Sequence, residues 1–128
     1  MARIIIAEDD EIVSDIARDA LTKAGHIVGV AYNGADALRA IQAKEPDLVV
    51  LDCNMPELSG LLVLREMRNS SALYDTPVLV LTGRRDSRDV ELAYNQGASD
   101  YMKKPFDPDE LVFRVEELLT KSRTSKKL

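Results

Sequence analysis

The sequence predicts an α/β fold, a doubly wound parallel sheet with helices on both faces. Two observations carry that prediction. Short apolar runs alternate with longer amphipathic stretches five times along the chain. Three of the runs, 4–7 (IIIA), 48–51 (LVVL) and 78–81 (VLVL), are apolar throughout, as strands are when both of their faces are covered. Five such strand-then-helix units point to parallel pairing with helices on either side.

The elements follow in order. The first strand is 4–7. The first helix carries Ile12, Val13, Ile16, Ala17, Ala20, Leu21 and Ala24 at helical spacing, with Asp10 as its cap and Gly25 as its stop. The second strand is 27–31 (IVGVA). Asn33 caps the next helix, with Asp36 three residues on and Ala37, Leu38 and Ile41 inside. After the third strand, 48–51, a helix starts beyond Ser59-Gly60 with Leu61, Leu64 and Met67. After the fourth, 78–81, a helix runs over 86–95 and stops at Gly97. Its apolar stripe is the thinnest of the five, mainly Val90, Ala93 and Tyr94, so weak packing and a shift on switching are expected of it. The fifth strand is the short Tyr101-Met102. The last helix has the clearest start: Asp107 as cap, Pro108 at the first helical position and Glu110 completing a capping box. Leu111, Val115, Leu118 and Leu119 form its inner face.

Size and composition fit one domain. The 128 residues suffice for a core without a disulfide or metal staple, and the expected division is residues 1–121 as the domain and 122–128 as a basic C-terminal tail or linker stub. Cys53 is the only cysteine, which excludes an intramolecular disulfide and a zinc-cysteine cluster. Lys+Arg number 17 against 22 Asp+Glu, and the net charge of -5 argues against direct nucleic-acid binding. No apolar run approaches the ~20 residues of a membrane helix. The N-terminus reaches Glu8-Asp9-Asp10 too soon for a secretory signal, so a cytoplasmic location without membrane contact is expected.

In such folds ligands bind beyond the carboxyl ends of the strands. Those ends deliver Glu8, Asp9 and Asp10; Asp52, Cys53 and Asn54; Thr82 and Gly83; and Lys103, Lys104 and Pro105. Carboxylates gathered at one rim repel one another unless a cation relieves them, and a hard divalent ion such as Mg²⁺ suits oxygen ligands. Lys104 adds positive charge, Thr82 adds a hydroxyl donor, and Gly83 removes bulk where a ligand approaches. A carboxylate nucleophile, a metal, a lysine and a hydroxyl suit phosphoryl transfer through an aspartyl-phosphate.

Four segments carry a family resemblance: 6–10 (IAEDD), 51–60 (LDCNMPELSG), 80–83 (VLTG) and 97–106 (GASDYMKKPF). In this order and spacing the chain resembles the receiver domains of two-component response regulators, the CheY-like family, over about residues 3–120. The resemblance implies a flavodoxin-like sheet of order 2-1-3-4-5. It implies Asp52 as phosphoacceptor. Mg²⁺ (or Mn²⁺) would be held by Asp9, Asp52 and the backbone carbonyl of Asn54, with Glu8 acting through water. Thr82 and Lys104 would grip the phosphoryl group, Thr82 and Tyr101 would form the switch, and the Lys104-Pro105 bond would be cis. The donor would be a phosphohistidine on a sensor histidine kinase or histidine phosphotransfer protein. The chain would be no enzyme beyond catalysing its own phosphorylation and dephosphorylation. The face built from the fourth helix, fifth strand and fifth helix would pass the signal to a downstream protein or to an output domain missing from this chain, from a monomer or a weak phosphorylation-dependent dimer. Cys53 stands where an aliphatic residue is common. Arg84 and Asn54 lie where side chains tune the phosphoryl lifetime.

Other readings are weaker. A haloacid-dehalogenase-like phosphatase needs a second acid two residues beyond the nucleophile, where this chain has Asn54. A docking module that is never phosphorylated would not need the acceptor set. A flavodoxin would need a phosphate loop where the acids stand. Outside the rim, Cys53 reads as a small buried residue, His26 as an exposed residue at a strand start, and the charged stretch 84–88 as a solvated helix face.

Overall fold

The computed structural model describes residues 1–53, 55, 57–83 and 87–127, with the backbone path alone at 87–89 and 123–127. Its elements are β1 (Arg3–Ala7), α1 (Glu11–Lys23), β2 (Ile27–Ala31), α2 (Gly34–Lys44), β3 (Leu48–Asp52), α3 (Gly60–Arg68), β4 (Val78–Thr82), α4 (Ser87–Asn95), β5 (Asp100–Lys103) and α5 (Pro108–Lys127). All strand pairs are parallel, in the order β2-β1-β3-β4-β5.

The three central strands alternate strictly between two cores, because successive side chains leave a strand on opposite faces. Ile4, Ile6, Leu48, Val50, Leu79 and Leu81 pack against α1 and α5, whose inner face is Ala17, Leu21, Leu111, Val115, Leu118 and Leu119. Ile5, Ala7, Val49, Leu51, Val78 and Val80 pack against α2, α3 and α4 through Ala37, Ile41, Val63, Leu64, Met67 and Ala93. β2 lies at an edge and is half exposed, which explains why its run is the least apolar of the first four.

The helix ends follow sequence chemistry. Asp10 accepts from the Ile12 and Val13 N–H groups, Asn33 from Asp36 and Ser59 from Leu62. Gly25 and Gly97 take φ of 96° and 102°, the left-handed turn that stops a helix and favours glycine. Two expectations need correction. Ile12 and Ile16 lie on the outer side of α1, 73% and 43% exposed, and the buried face is the narrower set Ser14, Ala17 and Leu21. Asp107 does cap α5 by accepting from the Asp109 N–H, but the box stays open because Glu110 pairs with Arg114 instead. α4 begins at Ser87; Asp86 lies outside the described residues. α5 runs on through the basic segment as one helix to Lys127. No helix among the described residues is long and apolar enough to cross a membrane.

Candidate functional site

Register and face together assemble the site. The last β1–β3 pair is Ala7↔Leu51, so one residue further Glu8 stands opposite Asp52. Glu8 follows Ile4 and Ile6 on the α1/α5 face, Asp52 follows Leu48 and Val50, and Lys104 follows Met102. The three side chains therefore converge from three strands onto one side of the rim. Lys104 Nζ lies 2.5 Å from Glu8 Oε1 and 3.3 Å from Asp52 Oδ1, reaching across β4. The Lys104 N–H donates to the Thr82 carbonyl at 2.8 Å, and the Lys104-Pro105 bond is cis. Lys103, one residue earlier, points out to solvent.

Asp9 completes the cluster. Carboxylate oxygens of Glu8, Asp9 and Asp52 all lie within 4.8 Å of one another. Glu8 is fully buried, Asp52 is 3% exposed and Asp9 is exposed. Three hard oxygen donors at this spacing, open to solvent through Asp9, fit a Mg²⁺ or Mn²⁺ ion and suit no soft metal. Burial works against the Lys104 ammonium, but Glu8 and Asp52 outweigh it and hold its pKa above the ordinary lysine value. Burial likewise opposes ionisation of Asp9. Hydrogen bonds from the Asp52 and Glu8 carboxyls, with the Lys104 charge, outweigh it and keep Asp9 below the usual range.

The opposite face of the same rim holds the other residues. Thr82 follows Val78 and Val80 at the end of β4 and is 1% exposed. Tyr101, paired in register with Val80, is half buried on that face. Its ring meets Tyr94 of α4 edge-on at 5.7 Å. The Tyr94 hydroxyl is 3.4 Å from Asp100 Oδ1, and Asp100 pairs with Arg114 of α5 at 3.2 Å, so one polar chain links α4, β5 and α5. Burial and the Asp100 charge push the Tyr94 phenol up, while Asp100 and Glu110 outweigh burial at Arg114 and raise it. Asn54 and Arg84 lie outside the described residues.

Away from the rim, Cys53 is buried as expected. His26 is not exposed. Its side chain is only 7% accessible, its Nδ1 accepts from the Ala2 N–H at 3.1 Å, and Nε2 faces Glu116 at 3.5 Å. It pins the start of β1, a role that a histidine beside a glycine did not announce. A Cβ at Gly83 would meet nothing within 4 Å, so the protein itself does not demand glycine there. Sequence reasoning also missed Arg68. Its guanidinium donates to the carbonyls of Gly97, Thr76 and Leu73, tying the end of α3 to the turns before β4 and β5. Burial lowers its pKa against the raising effect of Asp75. A surface cavity of about 570 Å³ between Tyr74, Pro77, Ser99 and Lys121 lies at the amino ends of β4 and β5, far from the acids.

The architecture is that of CheY-like receivers: a receiver domain protein from Methanospirillum hungatei matches it with TM-score 0.91 over 98% of both chains, at 23% identity. The chain belongs to the response regulator receiver domain family, whose model matches residues 4–116. It is 38% identical over 121 residues to the response regulator MprA of Mycobacterium ulcerans, covering 94% of this chain and 51% of that protein. The structure of NtrX from Brucella abortus matches with TM-score 0.91 at 29% identity, over 98% of this chain and 28% of that one. The chain thus spans about half the length, or less, of these longer regulators. It is a receiver domain of the two-component response regulator kind, a signalling switch.

Proposed function

We propose that Asp52 is the phosphoacceptor of a Mg²⁺-dependent switch. The observation that carries this reading is the nearly buried Asp52 carboxylate, within 4.8 Å of Glu8 and Asp9 and 3.3 Å from the Lys104 ammonium. An Asp52 oxygen attacks the phosphorus of a phosphohistidine on a sensor kinase or phosphotransfer protein. The P–N bond breaks, the imidazole leaves and takes up a proton, and an acyl phosphate forms. Water later attacks the same phosphorus and releases inorganic phosphate, regenerating the carboxylate.

Asp9, Asp52 and the Asn54 carbonyl would hold Mg²⁺ (or Mn²⁺), with Glu8 acting through water. The ion, when bound, neutralises charge on the phosphoryl oxygens. Lys104 already stands at ion-pair distance from an Asp52 oxygen and follows the phosphoryl group with a short displacement of a flexible chain. Thr82 donates its hydroxyl to a phosphoryl oxygen from the other side. Its movement toward the phosphate vacates space that Tyr101 enters, which breaks the Tyr94–Tyr101 contact and frees α4. The α4–β5–α5 face then binds its target, either a separate protein or a further region such as the other half of MprA. The domain works in the cytoplasm as a monomer or weak phosphorylation-dependent dimer, without touching nucleic acid or membrane itself.

Intact mass after incubation with acetyl phosphate tests this. One phosphoryl group is gained with Mg²⁺, and none with chelator or in Asp52→Ala. A gain independent of Mg²⁺ and Asp52 refutes it.

A further inference from the structure

Two helices begin on glycines that touch the acceptor loop, and both contacts are with backbone. A Cβ on Gly60, the first residue of α3, would lie 1.9 Å from the Asp52 carbonyl oxygen and 3.1 Å from the Cys53 Cα. The Gly60 N–H donates to the Cys53 carbonyl at 3.1 Å. The amino end of α3 therefore rests directly on the backbone of the acceptor. Two residues earlier in the same loop, the Leu58 carbonyl presses on α2. A Cβ on Gly34, the first residue of α2, would lie 1.7 Å from that oxygen and 2.5 Å from its carbon. Neither atom belongs to a flexible side chain, so the loop itself would have to move. Glu57, just before Leu58, holds φ of 70°, a left-handed conformation that costs a glutamate energy and aims the following carbonyl.

We infer that Gly34 is a positioning residue for Asp52: it is the backstop that seats Leu58, and through Leu58 and Gly60 it fixes where the acceptor's backbone sits relative to Glu8 and Asp9. This rests on the acceptor reading above and adds a residue from a different strand–helix unit to that site. Asn33 keeps the backstop in place. Its side chain both accepts from the Asp36 N–H at 2.8 Å and donates to the Asp36 carboxylate at 2.9 Å, locking the first turn of α2. Gly34 is buried and touches no reacting atom, so its effect on chemistry runs through the loop alone.

The test compares wild type with Gly34→Ala and with Gly29→Ala, a control where an added Cβ meets nothing within 4 Å. Mg²⁺ affinity is read by titration calorimetry and the Mg²⁺-saturated rate with acetyl phosphate by intact mass. Gly34→Ala weakens Mg²⁺ about tenfold, the low end of what losing a ligand's support costs, and slows the saturated rate, while Gly29→Ala changes neither. A folded Gly34→Ala protein with wild-type Mg²⁺ affinity and rate overturns the inference, whatever its loss of stability. If Gly34→Ala does not fold, Glu57→Gly is added, since glycine takes φ of 70° freely and lets the loop retreat. The double variant then binds Mg²⁺ about tenfold more weakly than Glu57→Gly alone. Equal affinity overturns the inference, and so does failure of the double variant to fold, which would make Gly34 a packing requirement only. A wild-type protein that neither binds Mg²⁺ nor gains a phosphoryl group would defeat the acceptor reading instead.

Discussion

Replacing Lys104 by methionine removes the ammonium that reaches both Glu8 and Asp52 while keeping most of the side chain's volume. Glu8 is fully buried, and its Oε1 lies 2.5 Å from Lys104 Nζ. Breaking a buried pair by deleting one partner costs about 3–5 kcal/mol, because a charge is left without compensation. The protein has an escape, which is to take up a proton. A glutamate ordinarily titrates near ~4.3, so neutralising one at pH 7 spans about 2.7 units at about 1.4 kcal/mol each, a ceiling of about 4 kcal/mol. Lys104→Met is therefore destabilised by about 2–4 kcal/mol at pH 7. The sign with pH follows from proton counting. The folded variant holds a proton that its unfolded chain releases above ~4.3, so its deficit grows as pH rises from about 4 to 7 and nearly vanishes below that range. Urea unfolding of both proteins at pH 4, 5.5 and 7 reads this directly from the midpoints, given equal slopes. Glu8→Gln in the Lys104→Met background recovers most of the loss at pH 7. A Lys104→Met protein as stable as wild type at pH 7, or a deficit that stays constant across the range, would refute the reasoning.

Three further outcomes follow from the same structure. Arg68→Ala strips donors from the Gly97, Thr76 and Leu73 carbonyls and lowers stability by about 2–3 kcal/mol in urea unfolding, and a loss under ~0.5 would show the clamp to be ornamental. Because Lys104 is raised, its contribution to wild-type stability is complete between about pH 7 and ~10.4 and disappears at alkaline pH only as pH climbs through its higher folded value; a wild-type stability loss centred between about pH 7 and 9 that is absent from Lys104→Met would contradict that direction. Among its described side chains α4 fully buries Ala93 alone, whereas α5 buries Leu111, Val115, Leu118 and Leu119, so amide exchange is faster in α4 and changes there on phosphorylation; equal protection of the two helices in both states would count against a mobile α4.

Most of the fold was written in the sequence because the sheet is buried on both faces. Runs such as LVVL at 48–51 admit few alternatives, and caps such as Asp10 and Asn33 mark helix starts with a chemical requirement. The errors lie where tertiary packing overrides periodicity. Ile12 and Ile16 fit a helical stripe, yet α1 meets the sheet along Ala17 and Leu21. The choice of Lys104 over Lys103 was also available from alternation, since Lys104 shares a face with Met102, Leu79 and Leu81. The strand order came through the family resemblance, not the residues alone. Arg68, His26 and Gly34 were invisible for a different reason. Each acts on backbone groups from another part of the chain, Gly97, Ala2 and Leu58 respectively, and such contacts leave no local pattern to read.

The most direct test of the central claim is to locate the phosphoryl group. Borohydride reduces an acyl phosphate on aspartate to homoserine, which peptide mass spectrometry then assigns to a position. After treatment with acetyl phosphate and Mg²⁺, the modification falls on Asp52 and on neither Glu8 nor Asp9. Homoserine at Asp9, a glutamate reduced at position 8, or phosphate held with no reducible acyl bond would contradict it.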